Sequence, residues 1–281
     1  YRLSFGVESM LPNMNSLHIA SYNIHKGFSV FNRLRVHELR AGLEGLAPDL
    51  VFLQEVQGMH QRHAMRHRNW PIQPQHEFLA QGMWHDHAYG RNVVYEHGHH
   101  GNAILSRYPI VRSDNHDITT YSFEKRGMLH CEIAVPGLAQ PLHCLCVHLS
   151  LAGQGRRRQF EMLTERVAEA IPAEAPLIIA GDFNDWSNQA DRLLAEKLAL
   201  TEVFQSSVGR PARSFPSGLP LLRLDRIYAR GFHIEGAQVL HGRPWSRISD
   251  HAPISAHLVL SDDDKSMNGS STPSFTPRSP Q

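Results

Sequence analysis

The sequence predicts an α/β fold, a four-layered α/β sandwich in which two packed mixed β-sheets are flanked by helices. The chain has 281 residues, 41% of them hydrophobic and 20% charged, which is enough to bury one full core. Short apolar runs typical of buried strands recur along it, and few amphipathic helical segments separate the runs in the middle of the chain. This succession favours two facing sheets with helices on their outer sides.

The chain opens with a β-α-β pattern. We predict a strand at residues 17–22, an amphipathic helix at about 32–46 and a short buried strand at 49–53. The second of these strands delivers Glu55 to its carboxyl end, where α/β sheets tend to carry their chemistry.

The remaining elements follow a long polar segment at residues 57–84. Further strands are predicted at 102–105, 129–135, 142–149, 177–180, 224–228 and 254–260, and helices at 156–171 and 189–198. We expect one folded domain at 17–260, after a loose N-terminal segment at 1–16. The Ser, Pro, Thr and Gly content of residues 261–281 is typical of a disordered tail.

Composition restricts the setting in which the protein works. No apolar run approaches the roughly 20 residues needed to span a bilayer, and residues 1–16 lack the pattern of a secretory signal. Three cysteines cannot all pair, which fits a reducing compartment. We therefore expect a cytoplasmic protein without a transmembrane segment, with peripheral contact to the anionic surface of the inner membrane left open. The oligomeric state is also open.

Charge and histidine content argue against two classes of site. The net charge is +1, which permits nucleic acid as a partner but does not demand it. Histidines cluster between residues 60 and 100, but they have no cysteine beside them and lack the helical His pair with a Glu that a zinc protease needs. We interpret them as histidines of loops and of the substrate cleft.

Polar side chains recur where apolar runs stop. Those residues are Asn23, Glu55, His148, Asp182, Asn184, Asp225, Asp250 and His251. Each alone is explained by a helix cap or a turn, but together they supply carboxylates for Mg²⁺, two histidines for proton transfer and an Asp–Asn pair to place a nucleophile. The set predicts hydrolysis of phosphate esters.

These residues carry a family resemblance. The motifs are Asn23-Ile24-His25, Gln54-Glu55, residues 101–106, His148-Leu149, Gly181-Asp182-Phe183-Asn184, Asp225 and Ser249-Asp250-His251. In order and spacing they resemble the endonuclease/exonuclease/phosphatase (DNase I-like) superfamily, and residues 23–28 and 98–109 resemble its bacterial YbhP-like branch. The resemblance covers about residues 17–260 and implies a DNase I-like fold.

The resemblance also implies roles for the catalytic groups. His251, oriented by Asp225, acts as base or charge stabiliser toward the attacking water. Asp182 and Asn184 position that water and hydrogen-bond the phosphoryl oxygens. His148 protonates the leaving oxygen, and apurinic endonucleases lack this histidine, so the chain departs from their pattern.

Metal and phosphate ligands follow from the same resemblance. Glu55 binds Mg²⁺, for which Mn²⁺ could substitute, with Asn23 and Asp250 nearby. Arg126 clamps a phosphate, or is a solvated surface arginine. Asn102 lines the cleft, or is an ordinary asparagine at the start of a strand.

Three functions remain open from sequence. The first is a metal-dependent phosphodiesterase that acts on a lipid-like head group by in-line water attack. The second is an endonuclease or exonuclease that acts on DNA or RNA with the same catalytic set. The third is a non-catalytic binding module on the same fold, which is disfavoured because every expected catalytic position holds a competent residue.

Overall fold

The computed structural model describes residues 16–186 and 189–261, and the chain within them forms two packed mixed sheets of six strands each. The strands are β1 (Ser16–Asn23), β2 (Leu50–His60), β3 (Asp86–Tyr95), β4 (Gly98–Ser106), β5 (Ile110–Asp117), β6 (Gly127–Ile133), β7 (Leu142–His148), β8 (Leu177–Asp182), β9 (Thr201–Glu202), β10 (Asp225–Arg230), β11 (Phe232–Val239) and β12 (Ile254–Leu260). The helices are α1 (Val36–Leu46), α2 (Gln61–Arg66), α3 (Gln75–Ala80), α4 (Gly153–Ala170), α5 (Gln189–Leu198) and α6 (Val203–Val208).

The strand order confirms the predicted sandwich. The first sheet runs β11-β12-β1-β2-β4-β3 and the second runs β5-β6-β7-β8-β10-β9. Each sheet is mixed, because β1 and β2 are parallel, as are β7 and β8, while the other pairs are antiparallel. The segments expected to be loose or disordered, 1–16 and 261–281, lie almost wholly outside the described residues.

Three apolar clusters account for the four layers. One lies between the sheets and includes Phe52 and Ile104 from the first and Cys144 and Ile178 from the second. A second cluster packs α4 and α5 on the outer face of the second sheet, and a third packs α1 and α3 on the outer face of the first. Burial of apolar area on both faces of each sheet is the main force that holds the layers together.

Two boundaries in the opening unit differ from the sequence prediction. The first helix begins at Val36 rather than near residue 32, because Asn32 has a φ of 55° and closes a tight turn in which its N–H donates to Ser29. The second strand does not end at residue 53. It continues to His60 through a bulge at Glu55, whose φ is 56°, so Glu55 projects from inside a strand rather than from its end.

Polar composition concealed several elements. The segment at 57–84 contains α2 and α3 as well as the end of β2. Strands β3, β5, β9 and β11 are absent from the prediction, because β3, β5 and β11 lie at the edges of the sheets with many exposed polar positions and β9 has only two residues. An exposed strand lacks the apolar run that identifies a buried one.

Two predictions drawn from composition can be compared with the described residues. All three cysteines fall within them, are buried and form no disulfide. Among the helices there, none is long and apolar enough to cross a bilayer.

The strand directions bring the predicted site residues to one end of the sandwich. Strands β1, β7 and β8 finish at this end, and β10 and β12 begin there because each runs antiparallel to a neighbour. Tight sheet geometry is required at Gly181, where φ is 151° and an added Cβ would lie 1.9 Å from the carbonyl oxygen of Val147. We call this the catalytic end.

Gly181→Ala tests that close approach. The added methyl group collides with the backbone of β7, and a positive φ adds strain of about 1–3 kcal/mol, so we expect the free energy of unfolding to fall by more than that strain alone. Urea denaturation measures it. Gly209→Ala is the matched control, since Gly209 has a φ of 76° but nothing within 4 Å of its added Cβ. Equal losses in the two variants would contradict the steric argument.

Candidate active site

The carboxylate of Asp182, the last residue of β8, lies at the centre of the site. Its Oδ2 accepts a hydrogen bond from Nδ2 of Asn23 at 3.0 Å, and it lies 3.4 Å from Nε2 of His148 and 3.7 Å from Nε2 of His251. Its Oδ1 accepts the backbone N–H of Asn184 at 3.0 Å. Four other residues that were predicted from sequence thus lie around one buried carboxylate.

His251 is held by Asp225, as the sequence predicted. Its Nδ1 donates to Oδ2 of Asp225 at 2.8 Å, and the hydroxyl of Ser214 donates to the same oxygen. Burial would lower the pKa of His251, but the charges of Asp225 and Asp182 outweigh it and raise that pKa to about 10. His251 is therefore a cation at neutral pH, which favours charge stabilisation over the role of base.

The pKa of Asp182 is also raised, but for a carboxyl group a raised pKa favours the neutral form. Burial raises its pKa to about 7, against the lowering effect of the His251 charge and of the hydrogen bond from Asn23. A carboxylate with a pKa near neutrality is suited to accept a proton during catalysis.

His148 is neutral at rest. Burial lowers its pKa well below the ordinary value, and the nearby charges of Arg126 and His251 lower it further. The histidine is in place at the end of β7, and negative charge in addition to that of Asp182 would favour its protonated form.

Asn184 is positioned by a backbone turn. Its φ of 49° places it in the left-handed region that asparagine tolerates better than most residues, and its Nδ2 donates to the carbonyl of Leu149 at 3.0 Å. The turn follows β8 directly, so the side chain is fixed beside Asp182.

The predicted metal ligands form an oxygen-rich set. Asn23 of β1 pairs with Gln54 of β2, and Glu55 is the next residue of β2. The hydroxyl of Ser249 donates to the carbonyl of Asn23 and also contacts Oδ1 of Asp250 at 3.2 Å. Lys26 balances Glu55 with an Nζ–Oε2 distance of 3.7 Å. Two carboxylates and an amide oxygen are ligands that suit Mg²⁺, so the donor set fits this ion.

A second group of three potential metal ligands is Asp182, Asp225 and His251, whose ligand atoms lie within 4.8 Å of one another. The hydrogen bond between His251 and Asp225 already occupies two of these groups. We therefore interpret the three residues as a hydrogen-bonded and charge-balanced group rather than as a metal site.

The two predicted phosphate ligands have different environments. Arg126 is not a solvated surface residue, because its side chain is only 14% exposed and its Nη2 donates to Glu124 at 3.0 Å. Asn102 is buried in β4 and its Nδ2 donates to the carbonyls of Gly127 and Cys146, so its amide joins the two sheets. Its role as a phosphate ligand stays a prediction.

Two serines of the site were missed from sequence. Ser214 and Ser249 are both buried, and their hydroxyls hold Asp225 and the carbonyl of Asn23. Ser249 belongs to the Ser249-Asp250-His251 motif, but its own role was not predicted. Ser214 lies in a loop whose shape no local pattern predicts.

A comparison with family models decides the identity of this site. Residues 20–251 match the model of the Endonuclease/Exonuclease/phosphatase family, which spans every predicted site residue. The chain belongs to the endonuclease/exonuclease/phosphatase family. Members of this family hydrolyse phosphate ester bonds and generally depend on a divalent metal.

Similar proteins agree with membership of the family. The protein YbhP of Escherichia coli (strain K12) is 47% identical over 246 residues, which cover 87% of this chain and 97% of YbhP. A family member from Bacteroides vulgatus shares the fold with a TM-score of 0.69 at 16% identity, covering 88% of this chain and 99% of its own. A mannosyl-6-phosphatase of Bacteroides thetaiotaomicron does so with a TM-score of 0.66 at 16% identity, covering 87% and 100%.

Asp225→Asn tests the charge balance at His251. The substitution keeps an oxygen that accepts from Nδ1–H but removes the charge that raises the pKa of His251 most. We therefore expect this pKa to fall from about 10 toward 6.5. Titration of the imidazole by NMR measures it, with Asp114→Asn at the exposed edge of β5 as control. A His251 that still titrates near pH 10 in Asp225→Asn would contradict the assignment.

The same shift predicts how stability depends on pH. Since the folded pKa lies above 6.5, protonated His251 stabilises the fold fully below about pH 6.5, and this contribution is lost as the pH rises through about 10. In Asp225→Asn the pKa of His251 is lower, so this contribution to the free energy of unfolding should be lost at lower pH.

Proposed function

We propose that this protein is a Mg²⁺-dependent phosphodiesterase that hydrolyses phospholipid head groups at an anionic membrane surface. The observation that carries the proposal is the composition of the catalytic end. The segments that connect strands there present exposed apolar side chains together with an excess of cations around the buried catalytic groups.

The catalytic groups support in-line attack by water. Asp182, with a pKa of about 7, accepts the proton of the water as the new P–O bond forms, and Asn184 orients that water. His251 remains a cation and stabilises the charge on the phosphoryl oxygens. Glu55, with Asn23 and Asp250, would hold Mg²⁺, or Mn²⁺ in its place, and the ion would supply further positive charge at these oxygens.

His148 supplies the proton to the leaving oxygen. A bound phosphodiester places negative charge next to its imidazole, which favours the protonated form and offsets the effect of burial. Arg126 supports this step, because its Nε is buried and has no hydrogen-bond partner within the described residues, so it can donate to the phosphate. The leaving alcohol departs with the proton as the old P–O bond breaks.

Exposed apolar side chains surround the site. We call them the apolar rim, and its members are Phe31, Ile72, Phe123, Leu151, Trp186 and Leu221. Each lies on a segment that leaves or enters the catalytic end of a strand. Phe31 is 83% exposed and Phe123 is 84% exposed, so both rings are available to a partner.

The same segments are basic. Their exposed cations are Arg33, Arg62, Arg66, Arg68, Lys125, Arg210, Arg213 and Arg247. Acidic residues counted over the same segments are fewer, namely Glu77, Glu96, Glu124, Asp185 and Asp250. Because the net charge of the chain is only +1, this end is more positive than the rest, which suits a surface of anionic lipid.

The apolar rim favours lipid over nucleic acid. Its aliphatic members, Ile72, Leu151 and Leu221, cannot stack on bases, whereas they can enter the interfacial layer of a bilayer beside Phe31 and Phe123. The cations alone would suit either partner, so cleavage of DNA or RNA is the alternative outcome of the tests below.

The reaction class is tested with two small substrates in Mg²⁺. We expect bis-p-nitrophenyl phosphate to be hydrolysed faster than p-nitrophenyl phosphate, and His251→Ala to lower the diesterase rate by roughly 10²–10⁴-fold. Glu55→Gln should weaken the binding of Mg²⁺ and so raise the Mg²⁺ concentration that the reaction needs. His241→Ala, which removes an exposed histidine outside the site, is the control. A preference for the monoester would indicate a phosphatase, and no turnover of either substrate would favour a binding module. A rate unchanged by His251→Ala would contradict the role assigned to His251.

The lipid partner is tested with vesicles. We expect the protein to sediment with vesicles of phosphatidylglycerol and phosphatidylcholine, and Phe31→Ser with Leu221→Ser to weaken this binding by roughly tenfold or more, because burial of one large apolar side chain is worth about 1.5–3 kcal/mol. Release of phosphorylated head group should fall in parallel, while hydrolysis of bis-p-nitrophenyl phosphate is unchanged.

The control for the rim is Val111→Ser, which replaces an exposed apolar residue at the opposite end of the sandwich. Equal binding by the rim variant and the control would contradict the lipid proposal. Turnover of DNA or RNA without turnover of phospholipid would replace it by the nuclease.

A further inference from the structure

A second cluster of potential metal ligands lies outside the active site. Helix α3 packs against β2, β3 and β4, and its residues His76 and Glu77 face His87 of β3. His87 and Tyr89 are two residues apart in an extended strand, so they project from the same face of the sheet, the face that α3 covers.

The three side chains are close enough to share one ion. Their ligand atoms, two imidazole nitrogens and one carboxylate oxygen, lie within 4.8 Å of one another, and Nε2 of His76 is 3.9 Å from Oε1 of Glu77. Donors bonded to a tetrahedral ion at about 2.0–2.2 Å lie roughly 3.3–3.6 Å apart, so a small rotation of the exposed Glu77 and His87 side chains closes the site.

His76 is the fixed member of the cluster. Its ring is only 8% exposed and stacks on Tyr89 with the centroids 4.5 Å apart and the planes 4° from parallel. Its Nε2 is the nitrogen that lies near Oε1 of Glu77, so Nε2 is the atom placed to bind an ion. Because this stacking holds the ring in place, Nε2 is presented to Glu77 and His87 with little further loss of side-chain entropy when an ion binds.

We propose that His76, Glu77 and His87 form a second metal site that binds Zn²⁺. Two imidazoles and one carboxylate are ligands that favour Zn²⁺ over Mg²⁺, whereas the all-oxygen set at Glu55 favours the reverse. Because His87 and Glu77 are open to solvent, water completes the coordination. The cluster lacks both the cysteine and the His pair four residues apart that identify many zinc sites from sequence.

The site is connected to the catalytic end through Gln75, the residue before His76. Its Oε1 accepts the backbone N–H of Gln57 at 2.9 Å, and its Nε2 donates to the carbonyl of Lys26 at 2.9 Å. Lys26 in turn pairs with Glu55. A zinc ion that ties α3 to β3 would therefore stabilise the segment of β2 that presents the Mg²⁺ ligand.

The proposal is tested by the stoichiometry of Zn²⁺ binding, measured by competition with a chromophoric chelator. We expect His87→Ala to lose one equivalent of Zn²⁺ relative to the unmodified protein, and Glu77→Gln to weaken the same equivalent. His87 is exposed and Glu77 is half-exposed, so the variants are expected to fold. His241→Ala is the matched control, because it removes an exposed histidine from the β11–β12 connection.

Differences between variants isolate this site from Zn²⁺ bound elsewhere, including at the catalytic groups. Identical stoichiometry and affinity in His87→Ala and in His241→Ala would overturn the proposal. A second measurement is the melting temperature: Zn²⁺ should raise it less in His87→Ala than in the control, and an equal rise would also overturn the proposal.

Discussion

The active site depends on the burial of one carboxylate at the junction of the two sheets. Asp182 belongs to the second sheet, yet its Oδ2 is bonded to Asn23 from the first sheet and approached by His251, which precedes β12 of the first sheet. A charge taken out of water is tolerated only where such partners replace its hydration. The active site therefore forms only when the two sheets pack against each other.

Close convergence of strand ends has a local backbone cost. The positive φ angles of Glu55 and Asn184 lie at the site itself, as do those of His25 and Lys26 in the turn after β1. Such conformations persist where surrounding structure fixes them, and they commonly accompany functional groups. At this site the positive φ angles direct side chains into the active site, which a regular strand geometry would not do.

The sequence predicted the interior of this fold better than its boundary. Buried strands such as β7 and β8 are continuous apolar runs, and their positions were correct to within two residues. The family motifs brought together His148, Asp182 and His251 as expected. The bulge at Glu55 and the hydroxyl of Ser214 depend on tertiary contacts over long separations in the chain, which leave no local pattern.

Strand β5, which escaped the sequence prediction, is an edge strand of the second sheet, and most of its residues are exposed or half-exposed. An edge presents unpaired N–H and C=O groups that could recruit a strand from another chain. Arg112 and Asp114 place hydrated charges along this edge, where they oppose such a union. The polarity that hid β5 from prediction thus also protects the protein from aggregation through intermolecular sheet extension.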